Sequence, residues 1–323
     1  HCVTRRQRQM CIRDSLIPMN KYRILFMGTS PFAVPTLRRL SETSHELLIV
    51  YTSPPKKANR GMKMSMSPVG VCAKELKIDV HTPSTLKSLE EINKIKKLNL
   101  DLIIVVSYGF ILPKQILTLP KYGCYNLHAS LLPKWRGAAP IQRSMIEGDQ
   151  STGVTVMKMD IGLDTGDIAS QKEVLIKDKN YVELETELAE EGSKLIVQFL
   201  NESIKNPELY SQNNDKATYA TKVTKEETKI NWNEESEKIL RRINAYSPKP
   251  GAWLMLNGKR VKITKAQVGK YSDQPGKIID DQFNICCGHQ SIRPLEIQIE
   301  GKKSSSIEEF LRGNKIKVGT ILE

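Results

Sequence analysis

Asn126 and His128 lie two positions apart, and their side chains suit acid–base or electrophilic chemistry. In a strand over 123–128 they share a face, because side chains alternate with period two. A carboxamide donor and an imidazole then stand together at the strand's carboxyl edge, where open α/β sheets bind ligands. Further along, Asp160-Ile161-Gly162-Leu163-Asp164-Thr165-Gly166-Asp167 forms an acidic loop behind the alternating strand Val154–Met159. Each feature also has a plain structural account. Asn-x-His pairs are commonly incidental, and Asp in a glycine-containing loop commonly bonds its own backbone. Spacing alone supports an acid–base site and nothing narrower.

The elements around these residues alternate between strand and helix patterns. Tyr22–Met27 is a largely apolar run ending in Gly28-Thr29-Ser30, and Pro31 then opens a helix, where a missing N–H costs nothing. Leu47–Tyr51 reads as a second strand. Leu102–Val106 is apolar on both faces, as a central parallel strand covered by helices must be. Residues 68–77, 85–98 and 180–204 carry helical patterns. The alternation predicts an open, doubly wound, Rossmann-like α/β sheet. Gly28-Thr29-Ser30 is not the GxGxxG fingerprint, so nothing here indicates a nicotinamide cofactor.

Beyond Asn206-Pro207 the character changes. Residues 208–227 read as a polar linker. Ala252–Leu256, Asn257-Gly258 and Arg260–Thr264 then spell a strand, a tight turn and an alternating strand, a strong hairpin signal. Further strand patterns at 277–280, 283–287 and 292–299 complete a small, OB-like β-barrel over 228–323. The first 18 residues fit neither period and lack the apolar core of a secretory signal. An Arg-rich organellar presequence is one account of them; sequence upstream of a natural start at Met19 is the preferred one. The first domain is therefore read as 19–207.

Composition narrows the class. The chain has 323 residues, 39% hydrophobic and 26% charged, as an ordinary globular protein does. No run approaches the roughly 18 apolar residues of a membrane span. The six cysteines show no metal-ligand spacing and read as free thiols. The net charge is +13, and residues 209–323 hold 20 Lys/Arg against 14 Asp/Glu. A basic surplus there suggests a polyanionic partner, nucleic acid being the commonest.

The combination NLHASLLPKWRGAAPIQ (126–142) with TGVTVMKMDIGLDTGD (152–167) resembles the folate-dependent formyltransferases, specifically those acting on charged initiator tRNA in translation initiation. The resemblance extends through RILFMGTSPFAVPTL (23–37), SYGFILP (107–113), NAYSPKPGAW (244–253) and PLEIQIEGKKSSSIEEFLRG (294–313), nearly everything after Met19. It implies that Asn126, His128 and Asp164 are the catalytic trio. It implies a 10-formyltetrahydrofolate pocket lined by Tyr108, Gly109, Ile111, Ser130, Leu131, Leu132 and Pro133, with no metal. The loop KKANRGMKMSMSPV (56–69) supplies Lys56, Lys57, Arg60 and Lys63, and Arg60 falls where the family places an arginine that reads the tRNA acceptor end. The usual loop is richer in Pro and Gly before that arginine. A cytoplasmic enzyme without a membrane association or an obligate protein partner follows.

The implied reaction is attack of an unprotonated amine on a formyl carbon. Asn126 would donate to the resulting oxyanion, a protonated His128 would add charge, and Asp164 would orient and stabilise the imidazole. Proton removal would run through His128 or a bound water. A related enzyme would formylate glycinamide ribonucleotide or a sugar-nucleotide amine, or hydrolyse the formyl-folate. A non-enzymatic RNA-binding protein with a dead domain is the other class, opposed by the intact trio.

Overall fold

Strand β1 (Arg23–Gly28) is fully buried from Ile24 onward, and its side chains divide between two cores. Ile24 and Phe26 enter one and Leu25 and Met27 the other, as the pleat requires. In the computed structural model, which describes residues 21–58, 63–202 and 204–322, β1 is an interior strand of a seven-stranded sheet. On one side it pairs in parallel with β2 (Glu46–Tyr51), which pairs with β3 (Val80–His81). On the other it pairs with β4 (Leu102–Val106), followed by β5 (Cys124–His128). Two antiparallel strands, β6 (Ser151–Lys158) and β7 (Ile168–Leu175), finish that edge. The chain thus winds outward from β1, returns, and winds the other way from β4. That reversal between β1 and β4 is the switch point at which such sheets open a crevice.

Helices cover both faces. α1 (Val34–Ser41), α2 (Pro68–Glu75), α5 (Pro140–Glu147) and α6 (Tyr181–Glu202) bury residues in the first core. α3 (Leu89–Lys97) and α4 (Lys114–Leu117) cover the second with Ile95 and Ile116. Local signals start and stop them. Ser67 and Ser88 accept backbone N–H groups at the N-termini of α2 and α3, and Gly148, at φ +81°, ends α5.

The C-terminal unit is an antiparallel sheet. β8 (Ala252–Leu256) and β9 (Lys259–Gly269) form the hairpin, and β9 continues into pairing with β11 (Ser291–Ile299). β10 (Ile285–Cys286) and β12 (Ser305–Ser306) flank β11. Register shifts on either side of Lys265 let the eleven-residue β9 bend. Helix α7 (Ser236–Tyr246) packs on this sheet, and α8 (Ile307–Gly313) closes the core with Ile307 and Phe310. Residues 277–280 form only isolated bridges, not the expected strand.

Two sequence expectations need adjustment. The polar segment after Pro207 is no free linker. Tyr210 bridges to Ile168, and Tyr219-Ala220 pairs in parallel with Arg136-Gly137. Residues 56–65, read as a loop, begin and end as a short hairpin between Lys56–Ala58 and Lys63–Ser65. Arg60 and the first 18 residues lie outside the described residues.

Candidate active site

A cavity of about 800 Å³ opens at the switch point. Its walls are Thr29 and Ser30 after β1, Ser107–Leu112 after β4, the end of β5, and the Met159–Asp164 loop. Asn126, His128 and Asp164 all line it. Asn126 and His128 reach it from one face of β5, as period two requires. Asp164 arrives on the loop after β6.

Each group is held differently. The His128 Nε2 lies 2.9 Å from the carbonyl oxygen of Trp135. A carbonyl only accepts, so Nε2 carries hydrogen and the neutral ring keeps its lone pair on Nδ1. Nδ1 faces the Asp164 Oδ2 at 3.6 Å. That same oxygen accepts the Gly137 N–H at 2.9 Å. The Asn126 carboxamide has no hydrogen-bond partner among the described residues, although it is half-buried on the cavity wall. The Tyr108 hydroxyl is buried and likewise unpartnered, and burial raises the phenol above the ordinary tyrosine value. Unpartnered polar groups around a cavity mark where a ligand supplies the missing bonds.

The two aspartates of the loop have separate roles. Asp160 accepts from the Gly162 N–H and the Thr165 hydroxyl, the turn chemistry expected of Asx in such a loop. Asp164 is turned into the cavity with φ +54°, a left-handed conformation that Asp tolerates better than most residues. Gly166 allows the loop to fold back, since a Cβ there would lie 1.7 Å from the Lys158 carbonyl oxygen. Gly137, at φ +121°, brings its N–H to Asp164, and a Cβ would lie 2.8 Å from the Ala220 carbonyl oxygen.

The cavity rim is apolar. Ile111, Ile161 and Leu163 are 80%, 71% and 61% exposed and all line it, a surface suited to a flat aromatic ligand. Among the expected pocket residues, Tyr108, Gly109 and Ile111 are on the wall, but Ser130, Leu131, Leu132 and Pro133 are not. The Ser130 hydroxyl is bonded to the Lys134 carbonyl, Leu131 lies over Gly153, and Leu132 is buried with its N–H on the Thr155 hydroxyl. These residues shape the turn that delivers the Trp135 carbonyl to His128. Lys56 is exposed and off the cavity wall; the Lys57 and Lys63 side chains lie outside the description. Among the described residues no cluster of three or more His, Cys, Asp or Glu forms a metal site. No helix among them is long and apolar enough to cross a membrane.

Comparison with known proteins decides the family. The model described as "Formyl transferase" matches residues 21–200, and "Formyl transferase, C-terminal domain" matches 222–315. The chain belongs to the formyl transferase family. It is 44% identical over 304 residues to the methionyl-tRNA formyltransferase of Bradyrhizobium diazoefficiens, covering 92% of this chain and 98% of that one. The corresponding figures for the Rickettsia conorii methionyl-tRNA formyltransferase are 44%, 93% and 100%. The solved methionyl-tRNA formyltransferase of Clostridium thermocellum superposes with a TM-score of 0.52 at 20% identity, over 76% of this chain and 93% of that one. At that identity the superposition speaks for the formyl transferase fold alone.

Several residues of this formyl transferase site escape sequence reasoning. The Trp135 carbonyl and the Gly137 N–H act through the backbone, which no side-chain pattern announces. Arg136 is only 2% exposed and bonds the Gln212 side chain, which lies 76 positions away. The polar composition around Gln212 carried no signal of that contact.

Proposed function

We propose that this chain transfers the formyl group of 10-formyltetrahydrofolate to the α-amino group of methionyl-initiator-tRNA, using Asn126, His128 and Asp164. One observation carries the reading: an unpartnered carboxamide, a tautomer-fixed imidazole and a carboxylate meet in one cavity. The end-to-end similarity to methionyl-tRNA formyltransferases supports the choice of acceptor.

The amine attacks the formyl carbon and the carbonyl oxygen becomes an oxyanion. The Asn126 amide N–H donates to that oxygen, and such a donor is worth about 10²–10³ in rate. The amine loses a proton to Nδ1 of His128, the ring nitrogen left with a lone pair. Asp164, 3.6 Å away, stabilises the imidazolium. When the bond from the formyl carbon to the folate nitrogen breaks, the same proton passes to that nitrogen. The products are the formylated amine and tetrahydrofolate, and the enzyme returns to its starting protonation state. The folate ring system packs on the Ile111, Ile161 and Leu163 rim, with Tyr108 and Gly109 beside it.

The chemistry belongs to residues 19–207 and RNA contact to 228–323, joined by 208–227. Lys259, Lys265 and Lys270 are exposed along β9 and just beyond it and make no ion pair among the described residues, which leaves them for phosphate; Arg260 is exposed beside them with its guanidinium over the Trp253 ring at 4.1 Å. Lys56, Lys57, Arg60 and Lys63, which follow β2 in the sequence, are assigned to the tRNA as well. The cytoplasm, where charged tRNA is made and used, is the compartment this function implies, and no obligate protein partner is invoked.

The test is formyl release from the folate in the presence of charged initiator tRNA, glycinamide ribonucleotide or water alone. Transfer to the tRNA is expected to dominate; comparable turnover with either alternative overturns the acceptor assignment. Raising salt from about 50 to about 200 mM should weaken tRNA binding at least about tenfold and leave formyl-folate binding nearly unchanged.

A further inference from the structure

Asp164 has to hold a left-handed backbone conformation with its carboxylate aimed at His128, and its own loop does not explain how. The Asp160 turn fixes the start of the loop. Beyond it come the carbonyl oxygens of Asp164 and Gly166. Both accept from one side chain, the Gln212 amide, at 2.9 and 2.7 Å. Gln212 lies in the segment between the two units, 48 positions from Asp164.

Its amide is fixed in turn. The Gln212 Oε1 accepts two N–H groups from the Arg136 guanidinium, at 3.0 and 2.8 Å, and Arg136 also donates to the Asn214 Oδ1 at 2.9 Å. Arg136 is buried and makes no ion pair among the described residues; the three side-chain bonds named here all go to amide oxygens. A buried cation donating to an amide oxygen polarises that amide and strengthens its N–H groups as donors. The bonds therefore run in series from Arg136 through Gln212 to the Asp164 backbone. Arg136 is also beside both groups that Asp164 must meet: the Trp135 carbonyl holds His128, and the Gly137 N–H holds the Asp164 carboxylate. The paired strands Arg136-Gly137 and Tyr219-Ala220 close the same unit.

We propose that Gln212 is the positioning residue for Asp164, with Arg136 orienting it, so that the segment between the two units is a working part of the active site. This rests on the role given to Asp164 above.

The discriminating variants, in the full-length chain, are Gln212→Glu and Gln212→Ala. Glutamate keeps oxygens for Arg136 and removes both donors to the loop. Each should lower kcat by about tenfold or more, because small misplacements of a catalytic group are costly, while KM for the tRNA stays within about twofold. Backbone hydrogen exchange over 160–167 should accelerate and stay unchanged in β1 and β4. In an Asp164→Asn background the further effect of Gln212→Ala on kcat should shrink to about twofold, since coupled residues are not additive. Wild-type kcat and exchange in Gln212→Glu would overturn the proposal. So would fully additive losses in the double variant, or exchange that rises throughout the first unit, because those mark a merely structural role. The exchange measurement needs no turnover. If the unsubstituted chain formylates no tRNA, the functional reading fails while the Gln212 bonds are still tested.

Discussion

Two histidine–carboxylate pairs stand at the carboxyl edge of the same sheet. His81, ending β3, places its Nε2 3.0 Å from the Glu91 Oε2 on α3. The other Glu91 oxygen accepts the Tyr51 hydroxyl at 2.7 Å, and the His81 and Tyr51 rings are 4.9 Å apart. Glu91 is 5% exposed and both of its oxygens are satisfied. His128 is buried and Asp164 half-buried, yet the ring nitrogen and the carboxylate oxygen are 3.6 Å apart and an unpartnered Asn126 shares their cavity. The first pair is a closed network that fastens α3 to the sheet. The second is left incomplete on the side that faces the cavity. A histidine beside a carboxylate does not distinguish these cases; unspent hydrogen-bonding capacity facing a cavity does.

The sharpest test of that contrast is turnover. His128→Ala and Asn126→Ala should each lower kcat by at least about 10² while the chain stays folded, as judged by its far-ultraviolet circular dichroism and melting temperature. Near-normal turnover in either removes that residue from the chemistry. Asp164→Asn should cost about tenfold to a hundredfold and alter the pH–rate profile, because an amide can still accept the Gly137 N–H but cannot stabilise an imidazolium. A profile superimposable on the unsubstituted one would break the electrostatic half of the argument.

Glu91→Gln should do the reverse. It weakens charge-assisted bonds to Tyr51 and His81 and should destabilise the fold by about 1–3 kcal/mol in denaturant titration. Turnover at a temperature where the variant is folded should remain within about twofold. A large fall in kcat would make the two pairs functionally alike and erase the distinction.

The smallest effect concerns alkaline pH. Burial, reinforced by the hydrogen bond to Glu91, holds the Tyr51 phenol well above the ordinary tyrosine value, and burial does the same to Tyr108 and Tyr181. The folded chain keeps these protons where the unfolded chain releases them. Their contribution to stability is therefore complete below about pH 10 and is lost as pH rises beyond it. Tyr51→Phe should flatten that alkaline decline in melting temperature, and an unchanged slope would show that Tyr51 does not contribute.

Local patterns were enough for β1, β2, β4, β5 and β6 and for α1, α2, α3 and α6, while β3 and β7 were not read from them. Leu102–Val106 could only be a strand covered on both faces, and Asn126 and His128 had to share a face once 123–128 was a strand. The hairpin at Asn257-Gly258 was equally legible, because turn chemistry and strand alternation are encoded over a few neighbouring positions. The resemblance supplied Asp164, which spacing alone would have left as a turn residue beside Asp160. Only the tertiary structure separated those two aspartates, left Ser130–Pro133 off the cavity wall, and laid the polar segment around Gln212 against the Asp164 loop. Those outcomes depend on backbone carbonyls and N–H groups that every residue carries, and on contacts between positions 27 to 76 apart. Side-chain pattern records which face a residue prefers; it does not record which distant backbone group it will meet when the chain closes.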